Sequence, residues 1–118
     1  MQTRREAKDV EKIRQLLRKY ARNQIEYNEP HFTLKLDRLQ IDRREVLKNI
    51  RNPSKLVFVG TSDSKNPNYD YVHDLYFRLS KNRVFKVPAS LKPKSLYLIT
   101  IFKIRRRMQH EANRYYQE

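Results

Sequence analysis

Apolar residues recur along this chain with two different periods, and the periods divide it into helices and strands. Val10, Ile13, Leu17 and Tyr20 follow one another at steps of three and four, with Leu16 and Ala21 alongside, which predicts a helix over residues 3–22 with a narrow apolar stripe. Ile25-Glu26-Tyr27 alternates as a short strand. HFTLKLDRL fits either period. Asn28 as an N-cap, with Pro30 in the first turn, favours a helix over 30–39. Asp42-Arg43-Arg44-Glu45 reads as a capping box, with Asp in place of Ser or Thr. It opens a helix over 43–51 that buries Val46, Leu47 and Ile50 and stops at Asn52-Pro53.

Beyond Pro53 the period shortens to two. Lys55 to Val59 predicts a strand ending at Gly60, and TSDSKNPNYD (61–70) a polar loop. YVHDLYFRL (71–79) and RVFKVP (83–88) predict a hairpin turning at Lys81-Asn82. SLYLITIFK (95–103) is almost wholly apolar and predicts a central strand. Pro88 and Pro93 bracket the loop before it. The tail IRRRMQHEANRYYQE predicts a basic C-terminal helix. The whole reads as one α+β domain with an antiparallel sheet packed by helices: an N-terminal helix (1–23), a core (24–103) and a basic helix (104–118).

Charge changes the picture most. Twenty-seven basic residues oppose thirteen acidic ones among 118, for a net +14, and the pI is near 10.2. Nucleic acid is the default partner of such a chain, because phosphate contacts release counterions. No run approaches the about 20 apolar residues of a membrane span, and the charged N-terminus gives no signal peptide, so a cytoplasmic location is expected. The chain has no cysteine, hence no disulfide, thiol nucleophile or cysteine-bound zinc. Gly60 is its one glycine, which excludes Walker-type and Rossmann phosphate loops. His31, His73 and His110 are scattered, with no metal-ligand spacing, so neither metal nor cofactor is expected.

On the hairpin, Tyr76 and Arg78 share one strand parity and His73, Leu75, Phe77 and Leu79 the other, with Val84 and Lys86 extending the first face from the facing strand. A cation beside an aromatic suits a base or a phosphate. It equally suits a solvated face with a cross-strand cation–π contact. His73 suits a part-buried structural histidine, and beside Asp74 it is also the best acid–base candidate. His31 suits a helix-start residue with a local hydrogen bond. Lys103, Arg105, Arg106 and Arg107 form the densest basic run, read as phosphate contacts or as a solvated face.

The stretch IEYNEPHFTLKLDRLQIDRREVLKNIRNPSKLV is similar to the opening of small RelE-superfamily toxin domains. Ile25, Tyr27, His31, Lys35, Leu36, Ile41, Glu45 and Val46 take matching positions; Lys35 stands for the usual arginine, and Leu39-Gln40 for Arg-Gly. Val72-His73-Asp74-Leu75-Tyr76, Val84-Phe85-Lys86 and Ile99-Thr100-Ile101-Phe102-Lys103 resemble three strand motifs of the MqsR branch, in the same order. The resemblance covers about residues 25–103. It implies a RelE-like fold and a metal-independent mRNA endoribonuclease of a toxin–antitoxin pair, acting on RNA, on the ribosome or off it, with an acidic antitoxin as partner. The alternative is a non-catalytic RNA-binding or ribosome-associated protein of the same fold. His73, Arg78 and Lys86 are the catalytic candidates, and Tyr76, Lys103, Arg105, Arg106 and Arg107 the RNA-binding ones. His73 occupies the branch's Gln position, and Phe85 its Tyr position.

Overall fold

A computed structural model describes residues 9–63 and 71–104. The elements run α1 (Val10–Arg18), β1 (Ile25–Tyr27), α2 (His31–Leu39), α3 (Arg43–Arg51), β2 (Leu56–Asp63), β3 (Tyr71–Ser80), β4 (Arg83–Leu91), β5 (Leu96–Leu98) and β6 (Phe102–Lys103). This is a mixed α+β domain. The predicted C-terminal helix, with Arg105–Arg107, lies outside the described residues.

Each helix starts where a carboxylate meets its first free amides. Asp9 accepts from the Lys12 amide at the head of α1 (3.3 Å), and Asp42 from the Arg44 amide at the head of α3 (2.8 Å). The capping box of α3 is half made, because Glu45 turns away to pair with Arg83 across 3.2 Å. At α2 the expected cap is replaced. Asn28 contributes its backbone carbonyl to the Phe32 amide, and Glu29 supplies the side chain, accepting from the Thr33 amide (2.9 Å) and hydroxyl. The far end of α2 closes on Gln40, held left-handed at φ 56°, while the Ile41 amide reaches back to the Leu36 carbonyl.

The sheet order is β1-β5-β4-β3-β2, with β6 also beside β4. It is mixed, not antiparallel as expected, because β1 runs parallel to β5 with Ile25, Glu26 and Tyr27 facing Leu96, Tyr97 and Leu98. All three helices contribute to the core on one side. Ile13, Leu17, Phe32, Leu36, Val46 and Ile50 close over Leu75, Phe77, Phe85, Val87, Leu96 and Leu98. A bulge at Val57 lets Leu56 and Val59, three apart, both join this core, while Phe58 turns to the other face. On that second face Phe58, Tyr76, Val84 and Ile104 form a smaller buried cluster.

Two strands run past their expected ends. β2 passes through Gly60 to Asp63, and β4 passes through Pro88 to Leu91. The expected central strand 95–103 is two short strands separated by Ile99–Ile101, and β4 takes the centre. Pro88 is the reason. The Ile99 amide donates to the Pro88 carbonyl (2.9 Å), but Pro88 has no N–H to return. The Ile99 carbonyl accepts instead from the Asn28 side chain (3.2 Å).

α1 is a packed element. Its stripe is buried at Ile13 and Leu17, and Arg14 fastens it through the carbonyls of Leu56 (2.5 Å) and Pro53 (3.2 Å). Charge-assisted bonds of this kind contribute about 1.5–3 kcal/mol each to stability, net of their exchange with water. Arg14→Met, which keeps the stem and deletes both bonds, should lower the urea-unfolding free energy by about 2 kcal/mol. An unchanged midpoint would show that the stripe alone holds α1.

Candidate nucleic-acid interface

The sequence candidates divide between the two sides of β3. His73 lies on the parity of Leu75 and Phe77, opposite Ala89, on the helix-packed side. Arg78 is exposed on the other side, five residues along, roughly 16 Å at about 3.3 Å per residue. Lys86 lies across from Tyr76, on the same side as Arg78. The structure therefore groups Tyr76, Arg78 and Lys86 and separates His73 from them. Tyr76 is only 5% exposed, edge-on to Phe58 with ring centres 5.3 Å apart, so its ring is spent on packing. Lys103 is exposed on β6, facing Phe85 in register. Arg105, Arg106 and Arg107 lie outside the described residues.

A different constellation assembles where α2 meets β6. Phe102 stands beside Lys86 on neighbouring strands, and the Lys86 ammonium lies 5.3 Å from its ring centre. Lys35, reaching from α2, lies 4.4 Å from the same ring centre. One turn earlier on α2, the His31 Nε2 is 2.9 Å from the Thr100 hydroxyl. This bond spans the fold, whereas the sequence suggested a local one. Its geometry follows from the Asn28–Ile99 bond, which pins the start of α2 against the gap between β5 and β6.

Two cations on one phenyl ring hold it weakly. An exposed cation–π contact is worth about 0.5–1 kcal/mol. A hydrogen bond from an ammonium to a charged acceptor is worth about 1.5–3 kcal/mol. A phosphate oxygen therefore outcompetes the ring for Lys35, and its arrival frees the ring of that contact. Lys35, Arg78 and Lys103 have no ion pair among the described residues. Lys86 has Asp74 as a partner at 4.0 Å, both largely buried. That pairing keeps its ammonium beside β6.

The start of α2 also carries a neutralised cation. Arg43 stacks on Tyr27 at 4.4 Å and pairs with Glu29 at 3.0 Å. Burial raises the Tyr27 phenol, an effect that Arg43 partly offsets. Phe102, His31 and Lys35 were not singled out as a site by sequence reasoning. The signals were present: a lone aromatic beside lysine in an aliphatic run, and a histidine four residues before a lysine on a helix. Nothing in the sequence placed those two segments together.

No protein-family model, curated protein or solved structure matches the chain. No helix among the described residues is long and apolar enough to cross a membrane.

The Glu29 cap that orients α2 is titratable. Hydrogen bonds from the Thr33 hydroxyl and amide, with Arg43 nearby, hold its carboxyl below the ordinary glutamate range. The folded state therefore prefers the ionised form. Its contribution is complete above about pH 5 and fades as pH falls through the lowered range. Glu29→Gln should unfold at lower urea than wild type at pH 6.5, with the gap closing near pH 3. A gap of constant size across that interval would mean the cap acts without its charge.

Proposed function

We propose that this domain binds RNA along the edge formed by α2 and β6 and the adjoining second face of the sheet, and that it does so without cutting it. The observation that carries the reading is the convergence of Lys35 and Lys86 on Phe102 where α2 meets β6, with Asp74 beside Lys86 and Lys103 exposed on the opposite face of β6. In a chain of net charge +14, such a cluster is a phosphate site before it is anything else. The resemblance of residues 25–103 to RelE-superfamily toxins supports RNA as the polyanion. The basic run Arg105–Arg107 adds non-specific attraction wherever it lies. An acidic antitoxin would compete for the same lysines.

Binding without cleavage follows from the parity of β3. Cleavage through the RNA 2′-hydroxyl needs a base, an acid and cations around one phosphate. His73 is on the face that Arg78 and Lys86 do not share. Affinity for RNA should fall linearly on a log–log plot against salt, by about 0.7 per phosphate contacted on a single strand. Lys35→Gln and Lys103→Gln should each reduce that slope by about the same amount. A flat salt response in wild type would sink the nucleic-acid reading. These two positions are cleaner probes than Lys86, whose loss also breaks its ion pair with Asp74.

A second reading, metal-independent cleavage, has one observation in its favour. His31 is exposed, shares a hydrogen bond with Thr100 and stands one turn from Lys35, which places a titratable ring beside a cation after all. RNA incubated with the protein in EDTA should shift on a gel and remain intact. Cleavage that is lost in His31→Ala would replace the binding reading with this one, and cleavage lost in His73→Ala would move the chemistry to the helix side.

A further inference from the structure

Phe102 is 37% exposed, whereas Phe58, Tyr76 and Phe85 close to it in the sheet are at most 5% exposed. It belongs to neither buried cluster. The fold thus spends its other nearby rings on packing and leaves this one at the surface, on a two-residue strand that pairs with β4 on one side. Lys35 and Lys86 reach the ring from different elements, each within the about 6 Å over which a cation and a ring attract.

A phenyl ring at a cationic edge recognises a base only when the base is unpaired. In a duplex each base is stacked on both faces, and A-form RNA offers an edge like this one its phosphates and 2′-hydroxyls. In a single strand the base turns out, stacks, and leaves phosphates on either side of it. We infer that Phe102 is a stacking platform for one unpaired base, with Lys35 moving from the ring to a flanking phosphate while Asp74 holds Lys86 beside the ring, so that the ligand is single-stranded RNA and not duplex. The inference rests on the RNA reading and adds to it the form of RNA and the residue that selects it.

The test uses the full chain and three probes: a short unstructured oligouridylate, the same backbone with abasic positions, and a perfect RNA duplex of equal phosphate count. Wild type should bind oligouridylate roughly ten-fold more tightly than the abasic strand, the size expected of one stacked base. Phe102→Leu should lose that advantage and bind all three probes at the abasic level. Phe102→Tyr, which restores a ring, should recover it. Equal thermal unfolding of the three proteins confirms that the fold is intact. Salt-dependent binding of every probe with no effect of Phe102→Leu would overturn the stacking platform while leaving the RNA reading in place. Failure of wild type to bind any probe at low salt would overturn both. Preference for the duplex would overturn the single-strand assignment even if Phe102→Leu bound less well.

Discussion

The hydrogen bond that Pro88 does not make organises the end of this domain where α2 meets β6. An antiparallel partner of Ile99 would ordinarily both accept and donate. Pro88 accepts only, so the last apolar segment cannot continue as one strand along β4. The unanswered Ile99 carbonyl takes the side chain of Asn28 instead. The Asn28 carbonyl accepts from the Phe32 amide in the first turn of α2, so this one substitution of partner ties a helix to a strand break. His31 then meets Thr100 inside the break, and Lys35, one turn on, meets Phe102 just past it. A residue with an N–H at position 88 would give Ile99 a backbone donor and leave Asn28 to find another acceptor.

Charge is distributed around this frame by the needs of the helices. Asp9, Glu29 and Asp42 sit at helix starts, where free amides and the helix dipole favour a carboxylate. Glu11 pairs with Arg14 and Arg18, Glu29 with Arg43, and Glu45 with Arg83. Each acid so placed neutralises a basic residue near the helix layer. The cations of the sheet edge and the second face gain little from them. Lys35, Arg78 and Lys103, with no ion pair among the described residues, are therefore left beside Phe102 and on the sheet, away from the acids of the helix starts.

Much of the fold was legible because its signals are local. The α3 cap at Asp42, the α1 stripe of Ile13 and Leu17, and the two-residue turn at Lys81-Asn82 all depend on neighbours within a few positions. The parity of Leu75 and Phe77 correctly gave one face to the core. Three features were not legible, for related reasons. The parallel pairing of Ile25–Tyr27 with Leu96–Leu98 joins segments that no turn connects. Alternation states that Tyr76 faces away from Leu75 but not that Phe58, Val84 and Ile104 wait there to bury it. Pro88 reads as the end of a strand, yet β4 tolerates it because the missing donor points at the broken side.

The candidate site shows the same limit more sharply. Chemistry-bearing residues close in sequence, such as His73 and Arg78, were natural to combine, but a strand sends odd and even positions to opposite faces. Residues far apart in sequence, such as Lys35 and Phe102, meet because a helix end and a strand break share one hydrogen bond. What the domain then offers is an edge with a ring, two lysine ammoniums against it and a histidine–threonine pair. On the RNA reading proposed above, such an edge would take a chain that can turn one unit outward and pass on, and selectivity would come from what the ring accepts, because the lysines treat every phosphate alike.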